Sequence, residues 1–586
     1  MHDLVIHGGL VVDGSGGPAG RADVAIEGGR VVAIGSDLGS ARQRLDADGA
    51  LVTPGFVDVH SHYDGQASWD EEMMPSSIHG ATTVAMGSCG VGFAPCRTAD
   101  RERLIALMEG VEDIPGSALA EGLSWGWETF PEYMDVLDRR RHAIDIACHV
   151  PHDAVRVFVM GERAFAGEVA TDDELAAMGA LVRDAIEHGA VGFSTGRTDN
   201  HRNADGRPTP GADVAPRELD AIARAMAGLD RGVLQAVSDF DMGVSADRFD
   251  PEFDLLEDMA RVSGRPLSIS LLQRIGATDQ WRKVLGRIER ANAAGLSVRA
   301  QVATRAIGVI LGLDATFHPF IGFPSYKAVA HLPLAERARE LRRPEVRARL
   351  LAEQSDAVAG DGSAVPPLVD KLLGALEMVA MSLFRLGDQP DYEPDRSASL
   401  YGEALRAGKK PLEVVFDALL EDDGRQLLYF PIYNYASGTL AEVGEMLRHP
   451  HAMLGLGDGG AHVGTICDAS FSTFLLTHWV RDRGAMSIEA AIHKLAGEPA
   501  AWLGLHDRGL VRAGRRADLN VIDLAGLSLA RPALVRDLPA HGKRFLQRAS
   551  GYRATIVRGE IVAEHGQVTD ARPGRIARPG GVSPAQ

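Results

Sequence analysis

Two histidines one residue apart, His60 and His62, close an apolar run, Phe56-Val57-Asp58-Val59. In a strand alternate side chains share a face, so both imidazoles are expected to point the same way. Two co-directed imidazoles at a strand end are half of a first-row metal site. Further on, a second β-rich run, Ala81-Thr82-Thr83-Val84-Ala85-Met86, leads through Gly87-Ser88 to Cys89. Far downstream, Asp458 sits in a glycine-flanked strand end, Leu454-Gly455-Leu456-Gly457-Asp458-Gly459-Gly460. Taken singly these signals are ordinary: histidines are common in loops, and a lone cysteine is more often a small buried hydrophobe. Taken together, imidazole, thiolate and carboxylate form a donor set that suits Zn(II). The expectation is a zinc site at His60, His62, Cys89 and Asp458. Bound zinc lowers the pKa of its water to about 7. Asp458 is then both a ligand neighbour and the base that takes the water proton. Such a site hydrolyses amides, imides, carbamates or esters.

Other residues fall where a substrate would lie. His149 and His152, in ACHVPHDAVR, sit at a third strand end, as substrate contacts or as hydrogen-bonded loop residues. His462 follows Asp458 closely and is placed near the site, while Asn200 and His201 follow a fourth strand. Lys327 and Arg305 are candidate clamps for a substrate carboxylate, with an ion pair as the plainer alternative. Cys96, Cys148 and Cys467 are read as structural.

The elements that must position these groups alternate along the chain. From Asp3 to Val52, short strands with glycine turns read as a β-meander, and ADLNVIDL and RATIVRGEIVAEHG echo it near the other end. The two ends are expected to pair into one small β domain, 1–53 with 506–570. Between them, strands ending near His60, Cys89, His149, Ser194, Asp239, Gln273, Arg305 and Asp458 alternate with helices. One helix opens on a capping box, Thr171 to Glu174, and stops at Gly189. This is the succession of an α/β (β/α)8 barrel, 54–313 with 450–505, whose site lies at the C-terminal strand ends. An open doubly wound sheet ranks lower, because no GxGxxG follows the first strand. The stretch 314–449 breaks the rhythm with polar helices and reads as an inserted lid or substrate subdomain. The segment 571–586, with Pro573, Pro579 and Pro584, reads as a frayed tail.

Composition excludes several classes. The 586 residues are 45% hydrophobic and 24% charged, as in a globular protein. Four cysteines give no disulfide framework, which suits a reducing cytoplasm. Neither a signal peptide nor a membrane span is evident. A formal charge of −19 disfavours nucleic acid or an anionic membrane as partner, leaving a small-molecule substrate, with homo-oligomerisation open.

The stretches VTPGFVDVHSHYD, GATTVAMGSCGV, GAVGFSTGR and LGLGDGGAH together resemble the D-aminoacylase (N-acyl-D-amino-acid deacylase) branch of the amidohydrolase superfamily. The likeness runs over nearly the whole chain. It implies a distorted (β/α)8 barrel with a split β domain and an insertion before the last strand. It also implies a metal-dependent hydrolase cleaving the amide of an N-acyl-D-amino acid or related small amide. A cyclic imide or lactone, or a catalytically altered scaffold, are the alternatives. By the resemblance His60, His62 and Cys89 map to metal ligands and Asp458 to the catalytic aspartate. Cys89 stands where many relatives have a bridging carboxylated lysine. The family also has a zinc-binding histidine at each of the fifth and sixth strand ends. Here those ends carry Ser238-Asp239 and Gln273. Three outcomes follow: one metal at the HxH side, an unusual Asp239 ligand, or an altered site. The family's serine before the aspartate is Gly457 here.

Overall fold

The computed structural model describes residues 1–241, 245–359 and 367–581. Its centre is a sheet of eight strands in sequence order, each parallel to the next. They are β1 (Phe56–Asp58), β2 (Ala81–Met86), β3 (Asp145–Pro151), β4 (Gly192–Arg197), β5 (Val233–Ser238), β6 (Leu267–Leu271), β7 (Val298–Val302) and β8 (Ala452–Leu454). Runs such as ATTVAM are β-branched and wholly buried, as strands covered on both faces require. The first and last strands meet just beyond their ends. Ser61 bridges Gly459, His62 N–H donates to Gly459 O at 2.8 Å, and Asp458 N–H donates to His60 O at 3.1 Å. The seam that closes the barrel is therefore made by the segments that carry His60, His62 and Asp458.

The helices follow the sequence signals closely. Thr171 and Glu174 form the reciprocal capping box of the helix Asp172–His188, and Gly189 ends it in the left-handed region, at φ 117°. Pro216–Met226, Phe249–Ser263 and Gln280–Ala293 pack outside the following strands. Paired residues of adjacent strands share a face, so Thr83 and Asp145 point together into the barrel floor. Arg508 and Arg516 reach Asp145 there at 2.6 and 2.5 Å, and Arg508 also donates to Thr83 Oγ1 at 2.9 Å.

A second, nine-stranded sheet joins both chain ends, with Leu51–Pro54 antiparallel to Leu519–Ile522 at its middle. The insertion has its own three-stranded sheet and its own apolar core, which includes Phe320, Leu341, Phe416 and Leu428. That sheet begins at Ile307, earlier than the loss of barrel rhythm at Asp314 suggests, because Ile307–Leu311 pairs with Leu427–Tyr433 and not with the barrel. Its Ile307, Ile432 and Tyr433 pack on Leu272, Ala303 and Leu456 at the ends of β6, β7 and β8.

The final stretch is not frayed over its described part. Ile146 N–H donates to Arg575 O, Ala577 N–H donates to Ile146 O, and Arg578 pairs with Asp138 at 2.9 Å. Pro573 and Pro579 fall in this docked piece, and Pro584 lies outside the described residues. No helix among the described residues is long and apolar enough to cross a membrane.

Candidate metal centre and active site

Hydrogen-bonded strand pairing in β1 stops at Asp58, so the two histidines project from the chain just past it. Asp58 Oδ1 accepts from His60 N–H at 3.0 Å and fixes the turn. The rings converge, with centroids 5.4 Å apart. Cys89 arrives from β2 through a tight turn. Gly87 N–H donates to Asp64 Oδ2 at 2.9 Å, Cys89 N–H to Gln235 Oε1 at 2.9 Å, and Gly90 N–H to Ser194 Oγ at 3.1 Å. A Cβ on Gly87 would lie 2.4 Å from His149 O, so the turn accepts no side chain there.

The donor atoms of His60, His62 and Cys89 all lie within 4.8 Å of one another, and all three residues are buried. His60 Nε2 is 3.2 Å from Cys89 Sγ and 3.4 Å from Asp458 Oδ1; His62 Nε2 is 3.9 Å from the same oxygen. Donor atoms on a tetrahedral zinc at about 2.0–2.3 Å stand about 3.3–3.8 Å apart. Asp458 Oδ1 is sealed from solvent and makes no hydrogen bond. Buried polar atoms rarely lack partners. An orphaned carboxylate oxygen beside two imidazoles and a thiol fits one first-row cation.

Three of the residues at this mouth hold left-handed backbone, Cys89 at φ 56°, Asp458 at φ 48° and His462 at φ 47°. Each costs about 1–2 kcal/mol in an L-residue, and such strain clusters at functional sites. Gly457 is required beside Asp458, since a Cβ there would lie 2.6 Å from Asp58 Oδ2 and 2.7 Å from the Phe471 ring. The serine of the family pattern has no room in this packing.

Electrostatics separate the groups. Burial, then the neighbouring His62, pushes His60 down to about 3. Burial pushes the Cys89 thiol up to about 11 and Asp458 up to about 7. Burial would also raise Glu112, but the His62 charge overrides it and holds the carboxyl at about 2. A bound dication would favour thiolate and carboxylate forms in their place.

Several expected contacts are placed elsewhere. His152 is fully buried with both nitrogens occupied, by Thr195 Oγ1 and Glu218 Oε1, each at 3.0 Å, so it serves the packing behind the strand ends. Lys327 pairs at the surface with Asp356 at 3.0 Å. Arg305 is buried, donates to Cys467 O and Asp468, and stacks over the Tyr392 ring at 3.7 Å. Its charge is already matched, which removes it as a free carboxylate clamp. Asp239 accepts from Thr198 Oγ1 and Asp199 N–H, and Gln273 Oε1 accepts from Ala436 N–H. Asp239 is thus held by a side chain and a backbone N–H of the loop after β4, and Gln273 by backbone of the insertion, which weighs against the Asp239-ligand alternative. His149 stays near, buried with Nδ1 unpaired, and its charge would oppose that of His60. His462 and His201 stand together at the mouth, ring centroids 6.5 Å apart.

Three residues here escaped sequence reading. Gln301 Oε1 lies 2.6 Å from His60 Nδ1 while its amide donates to Ser268. Gln235 accepts from Cys89 N–H, and Glu112 Oε1 lies 3.0 Å from His62 Nδ1. A buried glutamine within the barrel strands VLQAV and VRAQV was the available signal for the first two. Glu112 ends an ordinary amphipathic helix and gave none.

Comparison with known proteins identifies the family. A sequence profile described as the amidohydrolase family matches residues 43–563. D-aminoacylase of Alcaligenes xylosoxydans xylosoxydans is 28% identical over 588 residues, covering 98% of this chain and 97% of that protein. N-acyl-D-aspartate deacylase of the same organism is also 28% identical, covering 99% and 96%. Among solved structures, a D-aminoacylase superposes with TM-score 0.64 at 24% identity, covering 99% of this chain and all of that one. The N-acyl-D-glutamate deacylase of Bordetella bronchiseptica, complexed with zinc and a phosphonate inhibitor, gives 0.63 at 23%, covering 98% and 99%. With its eight-stranded barrel and a family match over residues 43–563, the chain belongs to the amidohydrolase family.

Proposed function

We propose that this chain hydrolyses the amide bond of an N-acyl-D-amino acid or related small amide, using one zinc ion held by His60, His62 and Cys89. The observation that carries the reading is the meeting of these three donors with Asp458 at the barrel seam, all within a few ångströms of His60 Nε2. A bound zinc supplies Lewis acidity toward a carbonyl oxygen and acidifies water at neutral pH. Asp458 is placed to accept a proton from the attacking water and to return it to the leaving nitrogen. His462 and His201 border the mouth through which the substrate enters. The relatives support the substrate class, since the aligned proteins are deacylases of N-acyl-D-amino acids.

A single metal is favoured by what lies on β5 to β7. Gln235 meets Cys89 N–H there, and Gln301, backed by Ser268, meets His60; all three side chains are neutral. Metal content of the purified protein, with a panel of N-acyl D- and L-amino acids, tests the reading. Zinc near one per chain with selective release of a D-amino acid supports it; no hydrolysis of any panel member by metal-loaded protein refutes it.

A further inference from the structure

Glu112 is the last residue of the helix α1 (Arg101–Glu112), and its side chain is wholly buried. A carboxylate in that position is disfavoured twice, by desolvation and by the negative end of the helix dipole. Buried charges are ordinarily paired. Among the described residues no lysine or arginine forms an ion pair with Glu112. What faces it are imidazoles: His62 Nδ1 at 3.0 Å from Oε1 and His462 Nε2 at 3.9 Å from Oε2. Its backbone oxygen accepts from Val463 N–H at 3.2 Å, which ties the helix end to the loop that carries Asp458 and His462.

The placement repeats, on His62, the arrangement around His60. His60 has Nδ1 against an acceptor, Gln301 Oε1, and Nε2 toward Cys89 and Asp458. His62 has Nδ1 against Glu112 and Nε2 toward Asp458. An acceptor at Nδ1 holds the proton there and leaves the Nε2 lone pair for a metal. The two rings are thus set to the same tautomer from different sides, one by a neutral amide and one by an anion. The Glu112 contact is oblique to the ring N–H, so it is not an aligned hydrogen bond. Contacts of this kind in an unliganded site often straighten when the bound state forms.

We infer that Glu112 is a positioning residue: it holds His62 with its proton on Nδ1 and Nε2 presented to the metal, and its buried charge helps retain the cation. The inference rests on the metal-centre reading above and adds a residue that never touches metal or substrate.

The test is zinc affinity, by competition with a chelator of known affinity, for wild type, Glu112→Gln and Glu112→Met. Gln keeps an oxygen that can face Nδ1 but loses the charge; Met loses both at similar length. Affinity is expected to fall in the order wild type, Gln, Met, over a span of about 10–100-fold. The metal-free protein is expected to melt lower in both variants, because the buried Glu112–His62 pairing is broken, so affinities are compared where all three proteins are folded. Co(II) substituted into Glu112→Gln should keep the wild-type visible spectrum, as the ligands are unchanged. Undiminished affinity in both variants overturns the inference, as does a fall in metal-free melting temperature without loss of affinity. An altered Co(II) spectrum also overturns it, by making Glu112 a ligand. If Glu112→Met does not fold, Glu112→Gln against wild type decides alone. Wild-type protein that binds no zinc fails the metal-centre reading itself, a result distinct from equal affinities.

Discussion

Replacing Gln301 by leucine separates the metal site from the fold that carries it. Gln301 and His60 are both about 1% exposed, and Oε1 lies 2.6 Å from Nδ1. Leucine removes the acceptor while filling similar volume. A buried donor left without a partner costs about 1–3 kcal/mol. The metal-free protein can avoid most of that cost by moving the proton to Nε2, which faces Cys89 Sγ at 3.2 Å. That tautomer blocks the lone pair a cation needs, so the cost reappears when metal binds. Through the usual relation of free energy to affinity it corresponds to a weakening of about 5- to 140-fold. Zinc affinity measured by chelator competition, beside urea unfolding of the metal-free protein, reads the two effects apart. The expected result is a weakened zinc complex with metal-free stability lowered by less than the binding loss. Wild-type affinity in Gln301→Leu would refute the reasoning, since His60 would then need no outside acceptor to serve as a ligand.

Three further outcomes are expected. Asp458→Asn should keep fold and metal while turnover drops about 10²–10⁴-fold, read by steady-state kinetics, because the near-isosteric amide takes no proton at neutral pH. Asp145→Asn should cost about 3–5 kcal/mol in urea unfolding at pH 7, as it breaks the buried pairing with Arg516 and Arg508. Burial alone would raise the Asp145 carboxyl, but the Arg516 and Arg508 charges hold it well below the usual carboxylate range. The stability it contributes is complete above about pH 4, the ordinary carboxylate value. It is lost as pH falls toward the depressed folded value, so the gap to wild type should narrow in acid. Lys327→Met should leave KM unchanged for carboxylate substrates and their amides alike, whereas Arg305→Met should lower stability by about 3–5 kcal/mol and affect all substrates equally.

The alternation of strand and helix was legible where helices carried their own stop and start signals, as at Thr171, Glu174 and Gly189. The convergence of His60, His62 and Cys89 was legible because barrel topology sends all strand ends to one rim. The order of strands placed Asp458 beside them across the seam. What stayed hidden were contacts set by three-dimensional packing alone. Whether Arg305 is free depends on Asp468 and Tyr392, which only the folded loops bring to it. His152 looked as available as His149 until Glu218, on a later helix, filled its second nitrogen. The last segment looked loose because its prolines and arginines mimic a linker, yet its backbone pairs with β3 at Ile146. Glu112 carried no local mark, since its role lies in which imidazole it faces and not in its neighbours along the chain.

The central claim is a single metal centre at the barrel seam. Anomalous scattering at the zinc edge, from crystals of the protein grown with zinc, tests it most directly. The account predicts one strong peak per chain, bounded by His60, His62 and Cys89 and adjoining Asp458, absent in His60→Ala. A second strong peak on the β5–β6 side, or no peak at His60 in zinc-grown wild type, would contradict it.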